Sequence, residues 1–302
     1  MTGGSSRNLA VPALLLANVM LACGPWLVRL AQSEGHVGPI GSGFWRLTLA
    51  LPILLVALPA MREPVPARWR GVVGAAMLGG LFFAADLAAW HLGILHTRLS
   101  NATLFGNVTA LLFPLYGFAI ARSWPNARQI TALLLASGGA IVLLGRSYEL
   151  SARNALGDLL CVGAGICYTL YLITIDRVRG QLGPVTTLTL SVAAGIPALL
   201  GIALAVGDPI RPTDWTPLIL MMLGSQILGQ GLILYSVGRV APMVVGLMLL
   251  IQPVVATVIG WLAYGERPSR IDALGAAAIA LAMLLIRTSA PPIAPQQAKD
   301  VS

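Results

Sequence analysis

The 302-residue sequence predicts an all-α, polytopic membrane protein of ten transmembrane helices arranged as two inverted five-helix repeats. Three observations carry this expectation. The residues are 57% hydrophobic and only 10% charged, with a mean hydropathy of +0.83, which excludes a soluble domain with a charged surface. The apolar runs reach the roughly 20 residues that a spanning helix needs. Landmark residues in the first half recur in the second at a nearly constant offset.

The first run, 9–31, follows Arg7 and passes through MLAC, a signal-like stretch. It continues past Cys23 to about Leu30, long enough to span, and Leu21 stands where a lipoprotein signal wants a small residue, so neither a cleaved leader nor a lipid anchor is expected. Run 39–60 opens at Gly38-Pro39, 70–93 contains Asp86, and 99–121 and 127–145 flank ARSWPNARQ. In the second half, 156–176 carries Cys161 and Cys167, 184–206 opens at Gly183-Pro184, and 215–237 contains Gln226 and Gln230. Run 241–263 contains Pro253, and 270–287 closes the series. Residues 1–8 read as a short cytoplasmic tail and 289–302, SAPPIAPQQAKDVS, as a disordered one. The repeats are expected at 9–145 and 154–288.

The offsets are 144 for Cys23 and Cys167, 145 for Gly38-Pro39 and Gly183-Pro184, 145 for Pro52 and Pro197, 146 for Trp69 and Trp215, 143 for Pro125 and Pro268, and 142 for Arg128 and Arg270. Five spans per repeat is odd, so the second repeat enters the membrane from the opposite side, the inverted arrangement of many secondary transporters. With ten spans both termini share a face. The tails and loops on that face carry eleven arginines and lysines, against six on the other, which predicts both termini in the cytoplasm and an inner-membrane location. The formal charge of +8 is scattered singly over loops, which argues against nucleic acid. The three cysteines lie in apolar runs without CxxC or His spacing, so no disulfide, metal or other cofactor is expected.

The segment WLAYGERPSRIDALGAAAIALAMLL (261–285), the Pro253 helix before it, and DLAAWHLGILHTRLSNATL in the first half resemble the EamA-type branch of the drug/metabolite transporter superfamily, over about residues 9–288. Within it the chain is most similar to YddG-type exporters of aromatic and other amino acids. The resemblance implies a ten-helix carrier with no enzymatic activity. Two departures stand out. ARSWPNARQ replaces the loop glutamate of YGERPSRID in the first repeat, and the first helix lacks the acidic residue with which small multidrug transporters couple protons.

Polar residues inside the spans mark the candidate site. A carboxylate at mid-bilayer costs about 2.5–3.5 kcal/mol on insertion scales, so Asp86 must face protein or water. Trp90 shares its helix face at i+4 and His91 lies slightly further round. Helix rise brings Asn107 to the depth of Asp86, and puts Asn18, Tyr168, Tyr171, Gln226, Gln230 and Gln252 at comparable central levels. These ten residues are the expected substrate-binding set. Asn18, Gln226 and Gln252 would serve equally well as helix-to-helix hydrogen bonds. Arg46 is either a partner of Asp86 or a separate interior charge. Gly24-Pro25, Pro52, Pro114, Pro197 and Pro253 are expected bending points.

Gly41-Ser42-Gly43 beside a histidine is too weak a pattern for a serine hydrolase, and a lone interior aspartate excludes a paired-aspartate protease. Sparse, clustered polar groups do not line a continuous pore. Polyanionic nucleotide-sugar or lipid-linked substrates would want several interior cations, and quaternary cations or drugs remain the same-fold alternative. The expectation is an exporter of amino acids, including aromatic and hydrophobic ones, and of related small metabolites, working by alternating access. With no acidic pair, substrate moving down its own gradient is favoured over proton exchange. The expected partners are the small-molecule substrate and the lipid bilayer. A monomer satisfies this reading, and the oligomeric state stays open.

Overall fold

The computed structural model describes residues 3–63, 69–97, 99–145, 154–265 and 269–287. The expected tail at 289–302, and Glu266, Arg267 and Pro268 of the GERPSRID loop, lie outside the described residues. Ten helical spans follow one another, all α apart from one π segment. They are α1 (Gly3–Ala22) with α2 (Gly24–Ser33), α3 (Pro39–Met61), α4 (Trp69–His96), α5 (Leu99–Gly106) with α6 (Thr109–Ala121), and α7 (Ala127–Gly145). The second five are α8 (Ala155–Val178), α9 (Pro184–Val206), α10 (Thr216–Met221) continued by a π-helix (Met222–Gln230) and α11 (Gly231–Ser236), α12 (Pro242–Leu249) with α13 (Ile251–Tyr264), and α14 (Arg270–Arg287).

Eight of the spans are long and apolar enough to cross a membrane, and a ninth, Ala127–Leu143, is a shorter apolar helix. The tenth, α14, packs along it. Large apolar side chains such as Val56 and Leu134 stay exposed on outward helix faces, 76% and 68% respectively, as a lipid-facing surface requires. The chain is a multi-pass membrane protein.

The first helix begins at Gly3, inside the stretch expected to be a tail. Once a helix is nucleated, each further residue adds one hydrogen bond for one residue fixed, so the helix extends beyond its apolar run. Of the expected bending points, Pro52 and Pro197 lie within continuous α3 and α9. Pro114 likewise lies inside α6, whereas the interruption at Cys23 directly precedes Gly24-Pro25 and that at Leu250 stands three residues before Pro253; a third falls at Asn107–Val108.

The spans pair between the two halves of the chain. The most extensive packing is α4 on α8 and α9, α3 on α9, α6 on α12, α7 on α14, and α1 on the π-helix and α11. Small residues allow the close approach, as is usual where membrane helices meet. A Cβ on Gly80 would come within 2.2 Å of the Ser191 carbonyl oxygen, and one added at Gly139 or at Gly275 would stand 2.6 or 2.7 Å from the other's carbonyl oxygen.

The α3–α9 pair is fastened at both ends. Gly38 and Gly183 are N-caps of nearly identical backbone geometry, each followed by proline at the first helical position, where its missing N–H costs nothing. Just past the end of α9, Asp208 accepts the Gly41 N–H through Oδ2 at 2.7 Å, at the start of α3. Just past the end of α3, Glu63 accepts the Val185 and Thr186 N–H groups at 3.0 and 2.8 Å, at the start of α9. Each carboxylate satisfies amides that would otherwise lack partners and meets the positive end of the helix dipole. The left-handed residues that turn the chain into these carboxylates, Arg62 and Gly207, are also equivalent in the two halves.

Candidate functional site

A cavity of about 160 Å³ opens among the first, second, third, fourth, sixth, eighth and ninth spans. Its lining residues fall in the half of α1–α2, α3, α4 and α5–α6 remote from Gly3, and near the middle of the spans that supply Tyr168, Gln230 and Gln252. One face of α4 supplies Phe83, Asp86, Leu87, Trp90 and His91, the i, i+3, i+4, i+7 pattern of a single helical stripe. The interrupted spans supply Leu21, Ala22, Gly24, Pro25 and Val28 around the Cys23 break, Gly106 and Asn107 at the second break, and Leu249 and Gln252 on either side of the third. Arg46 from α3, Tyr168 from α8 and Gln230 from the end of the π-helix complete the polar wall.

Asp86 faces this space and has no hydrogen-bond or ion-pair partner among the described residues. Arg46 is 6% exposed and is held from behind. Its Nε donates to Gln226 Oε1 at 2.9 Å, its Nη2 reaches the Ser225 carbonyl at 3.4 Å, and its Cζ lies 5.6 Å from the centre of the Phe83 ring. The cavity therefore presents one acid and one base that do not form an ion pair with each other.

His91 is buried, its Nδ1 without a hydrogen-bond partner among the described residues and its ring 5.3 Å from that of Trp90. The Trp90 indole lies against Gly106, where a Cβ would stand 3.1 Å from Nε1. Asn107 donates to the Thr103 carbonyl of its own helix at 2.7 Å. Gln230 donates to the Tyr168 hydroxyl at 3.4 Å, and its Oε1 has no partner. Gln252 donates to Asn18 Oδ1 at 2.9 Å, tying the ninth span to the first.

Seven of the ten residues expected from the sequence line the cavity: Asp86, Trp90, His91, Asn107, Tyr168, Gln230 and Gln252. Three do not. Asn18 is fully buried between Leu14 and Gln252, to which it is hydrogen-bonded on both sides. Tyr171 stacks behind Phe83 with ring centres 4.8 Å apart. Gln226 lies behind Arg46. Helix rise fixes the depth of a residue but not the direction of its side chain, and these three point away from the cavity. Arg46, Phe83 and Gly106 belong to the wall without having been in the expected set. Arg46 had a readable signal, a charge within an apolar run. The Ser42 hydroxyl donates to the Pro39 carbonyl of its own helix at 2.6 Å and is fully buried. Among the described residues no cluster of His, Cys, Asp and Glu could hold a metal ion.

Residues 155–288 match the EamA-like transporter family. The chain is 21% identical over 259 residues to the uncharacterized transporter YyaM of Bacillus subtilis (strain 168), covering 83% of this chain and 85% of that one. It is 28% identical over 153 residues to the threonine/homoserine exporter RhtA of Salmonella typhimurium (strain LT2), covering 50% of this chain and 52% of that one. A solved crystal structure superposes with a TM-score of 0.75 over 95% of this chain and 99% of its own, at 19% identity, and so shares the fold.

Proposed function

We propose that this chain, an EamA-type transporter of the drug/metabolite transporter superfamily, exports amino acids by alternating access across the inner membrane. The observation that carries the reading is the pairing of Arg46 and Asp86 on one cavity wall without a bond between them. A zwitterion supplies the complement to both. Its carboxylate meets the guanidinium, whose fork matches carboxylate geometry, and its ammonium meets Asp86. Bound in this way the substrate brings no net charge into the membrane, which keeps the cost of burying the two protein charges down.

The rest of the lining is consistent with the same substrate. Phe83, Trp90 and Tyr168 offer aromatic surface to its side chain, and Asn107, Gln230 and Gln252 offer polar contacts. A cavity of about 160 Å³ compares with the roughly 150 Å³ that admits a benzene molecule. That is a space for an amino acid of modest size. Polycyclic drugs and nucleotide-sugars are larger, and the latter would need more than one cation. The relation to a threonine/homoserine exporter points the same way.

The cross-chain pairing of spans, with α3 on α9, α6 on α12 and α7 on α14, supports two inverted repeats at 9–145 and 154–288. With the termini cytoplasmic, as the loop charges favour, a cavity in the far half faces outward. The breaks at Cys23, Asn107–Val108 and Leu250 are the places where spans can tilt to close it.

Counterflow in proteoliposomes tests this reading. Zwitterionic amino acids should exchange with internal labelled threonine, whereas the matching amines and the matching carboxylic acids should not. Asp86→Asn should lower the exchange at least tenfold. Absence of exchange with every amino acid in the panel would overturn the proposal.

A further inference from the structure

Gln226 is fully buried and does not reach the cavity, yet it is bonded to Arg46, which does. Arginine has only N–H donors, so the amide oxygen of Gln226 must face Nε, and the amide nitrogen is thereby turned into the protein interior. There it finds no hydrogen-bond partner among the described residues. A buried donor left without a partner is costly, and flipping the amide to relieve it would set donor against donor at Arg46. The orientation of Gln226 is thus dictated by the guanidinium and not by its own hydrogen bonding.

The preceding residue contributes as well. The Ser225 carbonyl lies 3.4 Å from Nη2, so one residue's side chain and its neighbour's backbone together hold one edge of the guanidinium. Both belong to the π-helix, a rare i+5 geometry that recurs at functional sites. Phe83 covers one face of the same group. Nη1 has no partner among the described residues, which leaves the opposite edge for the cavity.

We propose that Gln226 is a positioning residue. It holds Arg46 so that the free edge of the guanidinium, Nη1 with Nη2, presents itself to the substrate carboxylate. This rests on the zwitterion reading above and adds a specific consequence: Gln226 governs the affinity for the carboxylate end of the substrate and not for the ammonium end.

The test uses full-length protein in proteoliposomes and compares an amino acid with its decarboxylated amine as an inhibitor of counterflow. Gln226→Leu should raise the KM for the amino acid about tenfold, change kcat less than twofold and leave the inhibition constant of the amine unaltered. Gln226→Glu has the same shape, places an anion against Arg46 and should raise the amino-acid KM further while making the amine inhibit more strongly. Parallel changes for amino acid and amine in both variants, or no change for either, would overturn the assignment. If the wild type itself handled amine and amino acid alike, the zwitterion site would fail whatever Gln226 does. If Gln226→Leu fails to fold, the opposed shifts expected of Gln226→Glu still decide the matter.

Discussion

The α3–α9 pair and the interrupted spans around the cavity solve the same problem in opposite ways. Both contain proline or glycine within the membrane, where every backbone group needs an internal partner. In α3 and α9 the helices run unbroken through Pro52 and Pro197, and each N-terminus is capped by a carboxylate from the far end of the other. Around the cavity the first, fourth and ninth spans are interrupted and the eighth is wound as a π-helix. Both carboxylate caps are closed although the cavity lies in one half only, so the caps do not follow the side that is open. On the alternating-access proposal, the difference separates a pair expected to stay fixed from the elements expected to move.

The largest effect should come from two glycines, one packed against the capped pair and one at a break beside the cavity. Gly80→Val forces side-chain atoms into the Ser191 backbone between α4 and α9, which no rotamer can relieve, and should abolish recovery of monodisperse protein from membranes. Gly106→Ala meets only the edge of the Trp90 ring and should leave the melting temperature within about 2 °C while changing the substrate KM several-fold. Equal losses of folded protein in both variants would erase the distinction.

Removing both caps in a Glu63→Ala, Asp208→Ala double variant should come next. Lost helix caps cost about 0.5–2 kcal/mol each, so thermal unfolding in detergent should occur several degrees lower. The exchange rate per folded molecule should stay unchanged, and a selective loss of rate would make the caps part of the gate instead.

The smallest effect is on pH. Burial pushes the Asp208 carboxyl above its ordinary value, against the lowering influence of the Gly41 and Ile40 amides. The folded protein thus takes up this proton at a higher pH than the unfolded chain, and stability from this group rises as pH falls through the carboxylate range. Asp208→Asn should remove that small slope from the melting temperature measured between pH 7 and 4.

Much of this architecture is readable in the sequence, for physical reasons that also mark where reading stops. Gly38-Pro39 and Gly183-Pro184 announce helix starts because proline suits the first helical position. Asp86 is conspicuous because an ionisable group in an apolar run needs a reason to be there. By contrast Glu63 reads as an ordinary loop residue, since its partners at Val185 and Thr186 are more than a hundred positions away. Its equivalence to Asp208, 145 residues on, is visible only after the repeat is known. The π-helix leaves no periodic signature in nine residues, and Asn18, Tyr171 and Gln226 show that depth along a helix does not tell which way a side chain turns.

The two caps also impose an order on synthesis. When α9 begins to emerge, Glu63 is already in place, and the cap at Val185 and Thr186 can close at once. The Gly41 amide at the start of α3 must wait until Asp208 has been made, 167 residues after it. Until then the first half sits in the bilayer with a helix end unfinished, and the arrival of the second half completes it. The doubly capped pair is therefore one of the last features of the first half to be secured during its biogenesis.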